Sequence, residues 1–190
     1  MNLEEMMAVV REQMPNKRWQ HTLGVMSESV RLAKRYGGDP DKAELAALLH
    51  DMCKAWPIEE QRRVIEENRL DTDVLDHEKE LWHAHAGAQE AKLRFGIDDE
   101  EVLDAIRYHT SGRVGMTLLD KIVCLADYIE PGRDFPEVNK IRKLAEHSLE
   151  EALVAGYNST IALLLDRGKN IYPLTVAARN GLLDELKRGQ

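Results

Sequence analysis

The chain has 190 residues, 43% of them hydrophobic and 32% charged, and carries a formal net charge of −8. That length suits one domain with a sizeable core, and the acidic balance argues against general electrostatic binding to nucleic acid or anionic membranes while leaving room for a small basic pocket. No apolar run approaches the roughly 20 residues needed to cross a bilayer, the acidic, amphipathic start is not a signal peptide, and Cys53 and Cys124, both in apolar helical patterns with no CxxC pair, read as reduced core residues of a cytoplasmic protein.

Nothing alternates with period two for long enough to suggest a sheet, so the expectation is an all-α, single-domain helical bundle with short connections. A first helix spans Leu3–Gln13 and ends near Pro15. The second runs from about Lys17 to Tyr36, with Asn16 as cap. Its apolar stripe is Trp19, Leu23, Met26, Val30 and Ala33, with Arg18 and His21 on an adjoining face. Gly37-Gly38 stops it, and Asp39-Pro40 starts a third helix that carries His50-Asp51 until Trp56-Pro57 interrupts.

A polar helix follows near Ile58–Glu67, and Asn68–Lys79 is irregular with room for one helical turn. An alanine-rich helix over Glu80–Phe95 holds His83 and His85. Asp98 starts the next helix, with Glu101 completing a capping box, and Val102, Ile106 and His109 share its face. After the loop Thr110–Arg113, the apolar helix Leu118–Glu130 carries Asp127 and is closed by Pro131-Gly132. Helices over Glu137–Glu146 and Leu149–Arg167, the loop Gly168–Tyr172 and a last helix from Pro173 to about Lys187 complete the chain.

The stretch Leu45–Lys54 is apolar at most positions, so His50 and Asp51 sit where an unpartnered carboxylate is costly. His21, His83, His109 and Asp127 also lie on or near apolar faces. Imidazole nitrogens with carboxylate oxygens are the ligand mix of Zn, Mn and Fe(II) sites, and helical bundles build such sites in their cores. His85 is offset from His83 and is left out, while His77 and His147 stand in polar surroundings that suit solvated side chains.

Four cations accompany these residues. Arg18 is one turn before His21, Lys54 one turn after Asp51, and Arg113 and Arg133 follow the loops after His109 and Asp127. Arginine grips phosphate oxygens through a planar fork, lysine as a point charge. In Lys169–Thr175, Asn170 can hydrogen-bond a base or ribose, Ile171 and Tyr172 offer apolar surface, and a helix beginning at Pro173 directs N–H groups outward.

Taken together, the order His21, His50-Asp51, His83, His109, Asp127 resembles the HD-domain metal-dependent phosphohydrolase superfamily. The words around these residues narrow the likeness to its YqeK-like branch: Arg18-Trp-Gln-His21-Thr, His50-Asp51-Met-Cys-Lys54, His83-Ala-His-Ala-Gly87, Tyr108-His-Thr110-Ser-Gly-Arg113, Ala126-Asp127-Tyr-Ile-Glu-Pro-Gly-Arg133 and Asn170-Ile-Tyr-Pro-Leu-Thr175. That branch is described as symmetrical bis(5′-nucleosyl)-tetraphosphatases, which split diadenosine tetraphosphate into two ADP.

The resemblance implies one HD domain over residues 1–190, with a metal-binding core at about 18–133 and C-terminal helices with a nucleotide-contacting loop at 134–190. It implies His21, His50, Asp51 and Asp127 as metal ligands. His83 and His109 either ligate a second ion or contact phosphate. Asp51, Lys54, His83 and His109 are the catalytic set. The substrate-binding set is Arg18, His83, His109, Thr110, Arg133, Asn170, Ile171, Tyr172, Pro173, Leu174 and Thr175.

The expected cofactor is one or two divalent ions, iron first, manganese or zinc as alternatives. The expected partner is a nucleotide, with ADP as product and with no nucleic acid or membrane; Trp56 and Trp82 read as core residues and, only if exposed, would mark a homodimer face. Three other readings stay open. They are an HD hydrolase of a deoxynucleoside triphosphate or an alarmone, an HD-type di-iron oxygenase, and a scaffold that uses the metal for stability.

Overall fold

The computed structural model describes residues 1–68, 70 and 72–189; Arg69 and Asp71, inside the stretch expected to be irregular, lie outside the described residues, as does Gln190. Among the described residues the regular elements are helices throughout: α1 (Leu3–Glu12), α2 (Asn16–Tyr36), α3 (Pro40–Leu49), α4 (Ile58–Glu67), α5 (Trp82–Phe95), α6 (Glu100–Arg107), α7 (Leu118–Ile129), α8 (Val138–Leu144), α9 (Leu149–Asp166) and α10 (Pro173–Arg188), with short 3₁₀ turns at Thr72–Asp76 and Lys79–Leu81. None of these helices is long and apolar enough to cross a membrane.

Local chemistry sets most boundaries. Asn2 and Glu5 close a capping box on α1, and Thr117 and Asp120 close another on α7; each cap is worth about 1 kcal/mol. Asp39 caps α3 ahead of Pro40. The sequence places the cap of α6 one residue early: Asp99, not Asp98, accepts from the Glu101 and Val102 amides. Helix α2 likewise begins at Asn16, after an extended Pro15, and the Asn16 amide oxygen accepts from Arg11 instead of capping.

Helices α3 and α7 form the centre. Ala43, Ala46, Ala47, Leu48 and Leu49 of α3 and Leu119 through Ala126 of α7 are all buried, as expected for helices covered on most sides. Helix α2 crosses both of them. Its buried face is Thr22, Val25, Met26, Ser29, Leu32 and Ala33, while Trp19, Leu23 and Val30 are half-buried. The stripe is therefore rotated from the purely apolar reading, because small hydroxyl side chains can sit in a tight helix crossing. The rotation places Arg18 and His21 over the α3–α7 pair.

A second, smaller apolar cluster of Ile65, Val74, Trp82 and Tyr172 ties the start of α5 to the start of α10. Trp82 is 4% exposed and belongs to this core; Trp56 packs half-buried on the main one. Neither ring is a bare surface patch. Cys53 and Cys124 are free thiols in the core.

Candidate metal centre

Helix α3 ends at Leu49, so His50 and Asp51 occupy its last turn and the turn beyond, where side chains can leave the helix axis. His109 stands in the same relation to α6, two residues past its end. His21 comes from α2, His83 from the first turn of α5 and Asp127 from the last turn of α7. The six sequence-predicted ligands thus meet, drawn from five helices and their ends.

Asp51 is the hub. Its Oδ1 lies 2.9 Å from His83 Nε2 and 3.7 Å from His109 Nε2, and its Oδ2 lies 3.4 Å from His50 Nε2, 3.6 Å from His21 Nε2 and 2.6 Å from Arg18 Nη1. Two donor sets result, His21–His50–Asp51 and Asp51–His83–His109, each with all its atoms within 4.8 Å of one another. Asp127 stands beside the first set, its Oδ1 3.0 Å from His21 Nε2. Burial alone would raise the Asp51 pKa. The surrounding imidazoles of His50, His109 and His83 outweigh burial and hold it well below the usual carboxylate range. Asp127 is depressed in the same way, burial being overcome by the adjoining His21 ring and by Arg133 and His50. Both carboxylates are therefore ionised and ready to coordinate a cation.

The far side of each ring shows which nitrogen is free. His50 Nδ1 sits 2.6 Å from the Ala47 carbonyl and His109 Nδ1 2.7 Å from the Ile106 carbonyl, so both carry their proton there and turn an unprotonated Nε2 inward. His21 Nδ1 is 3.0 Å from Glu130 Oε1, which imposes the same tautomer. The Nε2 atoms of His21 and His50 are buried and make no hydrogen bond. Orphaned lone pairs aimed at one point among carboxylates are what a divalent ion satisfies, so these residues fit a metal.

His83 differs. Its Nδ1 lies 3.2 Å from Lys54 Nζ, which can only donate while charged, so the ring proton sits on Nε2 and points at Asp51 and at His109 Nε2, 3.2 Å away. Burial pushes the His83 pKa down to about 4, so the ring is neutral. In this network His83 is a hydrogen-bond donor; to ligate an ion it must exchange its tautomer and give up the Lys54 contact.

The expected cations divide. Arg18 holds Asp51, and Arg133 makes a two-point contact with Asp127, its Nε 2.6 Å from the Asp127 carbonyl and its Nη2 on Oδ1. Arg113 does not reach the centre. It bridges Asp104 at 2.6 Å and Asp120 at 2.8 Å with its guanidinium 5.0 Å from the Tyr108 ring. Sequence spacing put it after a loop; tertiary packing turned it onto two carboxylates, one of them buried.

Thr110 follows His109 directly. In the C-terminal loop, Asn170 and Pro173 are exposed, Ile171 and Leu174 half-buried, and Tyr172 and Thr175 buried. The Tyr172 hydroxyl donates to Asp73 and its ring faces His77 at 4.7 Å. Tyr172 is thus packed as a pillar under the loop, and His77 stands half-buried against it. His147 is exposed, as expected. His85 is buried edge-on to Tyr108, away from the ligand sets.

Two contributors were not singled out from sequence. Glu130, 4% exposed, bonds His21 with one oxygen and accepts from the Gly132 amide at 2.6 Å with the other. Gly24 makes room for it: a Cβ there would lie 2.6 Å from Glu130 Oε2. A signal was present, because an acidic side chain at the C-terminal end of an apolar helix opposes the macrodipole and calls for a partner. Arg142 donates to the carbonyls of Ile129, Glu130 and Arg133 and so sets the turn that carries Glu130 and Arg133.

The fold and this site define a class: a helical bundle whose core gathers histidines and aspartates for a divalent metal. The HD domain model matches residues 18–132, the same span that supplies every candidate ligand. The chain is 46% identical over 183 residues to a protein of Bacillus subtilis named symmetrical bis(5′-nucleosyl)-tetraphosphatase, covering 96% of this chain and 98% of that one. It is also 46% identical to a protein of the same name from Halalkalibacterium halodurans, covering 98% and 100%. Among solved structures, an HD superfamily hydrolase from Clostridium acetobutylicum, described as involved in NAD metabolism, superposes with a TM-score of 0.92 at 39% identity over 97% of this chain and 98% of that one. The chain belongs to the HD domain family and, within it, to the group of these symmetrical bis(5′-nucleosyl)-tetraphosphatases.

Proposed function

We propose that the protein hydrolyses diadenosine tetraphosphate, and related dinucleoside polyphosphates, symmetrically to two ADP. The observation that carries this is the pair of donor sets sharing Asp51, flanked by Arg18, Lys54 and Arg133 in a chain of net charge −8. The relatives' name supplies the substrate class.

A divalent ion, iron first and manganese or zinc next, would supply Lewis acidity here, lowering the pKa of an attacking water and polarising a phosphoryl group. His21, His50, Asp51 and Asp127 are its holders, with Glu130 fixing His21. The water oxygen bonds to one of the two central phosphorus atoms, the central bridging P–O bond breaks, and the leaving ADP keeps the electron pair while the water gives up a proton. Arg18 and Arg133 exchange carboxylate contacts for phosphate oxygens and offset the charge that builds on them. Lys54 stands against His83 and contributes a further cation. His83, protonated at Nε2, donates to a phosphate oxygen, with His109 and Thr110 beside it; His83, His109 and Asp51 are the residues that would hold a second ion. The loop Asn170–Thr175, from the 134–190 region of the single domain, receives the nucleoside of one half. The reading needs only a free nucleotide of the cytoplasm, with no nucleic-acid or membrane partner, and allows a homodimer.

The test is an assay of purified protein with Fe(II) or Mn(II) and diadenosine tetraphosphate, with the nucleotides separated. ADP as sole product is the expected result; ATP with AMP, or no turnover with any ion, overturns the proposal. Deoxynucleoside triphosphates and alarmones in the same panel decide the nearest alternative.

A further inference from the structure

A symmetric cut leaves two phosphates and one nucleoside on each side of the broken bond, so a site built for it must seat an adenosine at both ends of the metal centre. The candidate loop Asn170–Thr175 serves one end only. Tyr172 packs on Trp82, next to His83, and Gly112, three residues past His109, lies against Ala178 of α10, where an added Cβ would meet the Ala178 Cβ at 2.8 Å. The loop therefore flanks the His83–His109 side of Asp51.

The His21 side of Asp51 opens into a cleft of about 1250 Å³, larger than the roughly 300–1,000 Å³ usual for small-molecule sites. It begins at the centre itself, where His21, Arg18, Lys54 and Arg133 line its inner wall, and it runs outward between the start of α2 and the segment after α7. Three of its four lining cations, Arg18, Lys54 and Arg133, thus stand at the centre, where a phosphate chain would lie, and the exposed Lys17 is the fourth. The rest of the wall includes apolar side chains. Phe135 and Leu23 are half-buried apolar side chains on its wall, joined by Pro15, and the exposed Gln20 and Asp134 stand beside them. An aromatic ring with an amide and a carboxylate on the same wall is equipment for stacking a purine and hydrogen-bonding its edge and ribose.

Resting on the function proposed above, we infer that this cleft is the second nucleoside subsite: it takes the adenosine diphosphate half that points away from the Asn170–Thr175 loop, with the base against Phe135 and the phosphates on Arg18 and Arg133. Phe135 and Gln20 belong to this half of the substrate alone. Binding to both subsites is what favours a dinucleoside chain over a nucleotide with one base.

The experiment compares diadenosine tetraphosphate with adenosine 5′-tetraphosphate, which carries one nucleoside on the same phosphate chain, and counts ADP bound per chain of metal-loaded protein by calorimetry. Phe135→Leu keeps apolar packing and removes the ring, Phe135→Ala removes both, and Gln20→Ala changes an exposed side chain; melting curves identify any variant that fails to fold. The expected result is two ADP per wild-type chain, one in the Phe135 variants, and about a tenfold fall in the preference for the dinucleoside substrate, expressed mainly in KM. An unchanged preference in folded Phe135→Leu and Gln20→Ala, or fewer than two ADP on the wild type, overturns the subsite. If the wild type turns over neither compound, the proposed function itself fails, and the ADP count alone then decides the subsite.

Discussion

Glu130 Oε1 lies 3.0 Å from His21 Nδ1, across 109 positions of sequence, and holds the ring so that its Nε2 faces Asp127 and Asp51. A carboxylate behind a ligand histidine fixes its tautomer and raises its basicity, and loss of such a partner costs about 10–100-fold in metal affinity. Glu130→Ala is expected to weaken metal binding by that factor in a chelator competition. Glu130→Gln, whose amide oxygen can still accept from Nδ1–H, should lose less. Gly24→Ala should resemble Glu130→Ala, because the new methyl group displaces the carboxylate. Equal affinities in all four proteins would refute this role.

The two oxygens of Asp51 face different histidine pairs. If both donor sets fill, elemental analysis of protein loaded with Fe(II) or Mn(II) should find two ions per chain in the wild type, one in His83→Ala and none in Asp51→Ala. One ion in both the wild type and His83→Ala would leave His83 as a phosphate contact only, the role its Lys54-fixed tautomer already favours.

Arg113 is expected to matter for stability and not for chemistry. Its removal strands Asp120, a carboxylate 1% exposed that burial already pushes upward in pKa against the pull of Arg113. Breaking a buried pair costs about 3–5 kcal/mol, reduced here by the Thr117 amide that also serves Asp120. Arg113→Ala should lower the denaturation midpoint clearly while kcat and KM stay within about twofold. A large drop in kcat in the folded variant would return Arg113 to the phosphate-binding set.

His85 gives a pH dependence with a definite sign. Burial lowers its pKa from 6.5 to about 4 in the folded chain. Between these values the unfolded state binds more protons, so the contribution of His85 to stability is complete above pH 6.5 and is lost as pH falls toward 4. The full effect is on the order of 3 kcal/mol. Urea titrations of metal-free protein from pH 7 to pH 4 should show a shallower decline for His85→Leu than for the wild type; parallel curves would mean that His85 does not titrate there.

What the sequence determined by itself was the helical class and the set of histidines and aspartates that gather as candidate ligands. Helix periodicity, caps such as Asp39 and Thr117, and stops such as Gly37 act over a few residues and can be read along the chain. His21, His50, Asp51, His83, His109 and Asp127 were legible because metal-ligating types on apolar faces need partners wherever the helices go. Choice among partners was settled only by the tertiary structure. Whether Arg113 faces phosphate or Asp120, whether Glu130 meets solvent or His21, and whether Tyr172 is exposed or a pillar against Trp82 depend on crossing angles and on rotations of a fraction of a turn. The rotated face of α2 makes the point: admitting Thr22 and Ser29 to the interior brought His21 over α3 and α7. The cleft leading to Phe135 likewise forms where the start of α2, Lys54 and the segment after α7 meet, far apart in sequence, so no local pattern announces it.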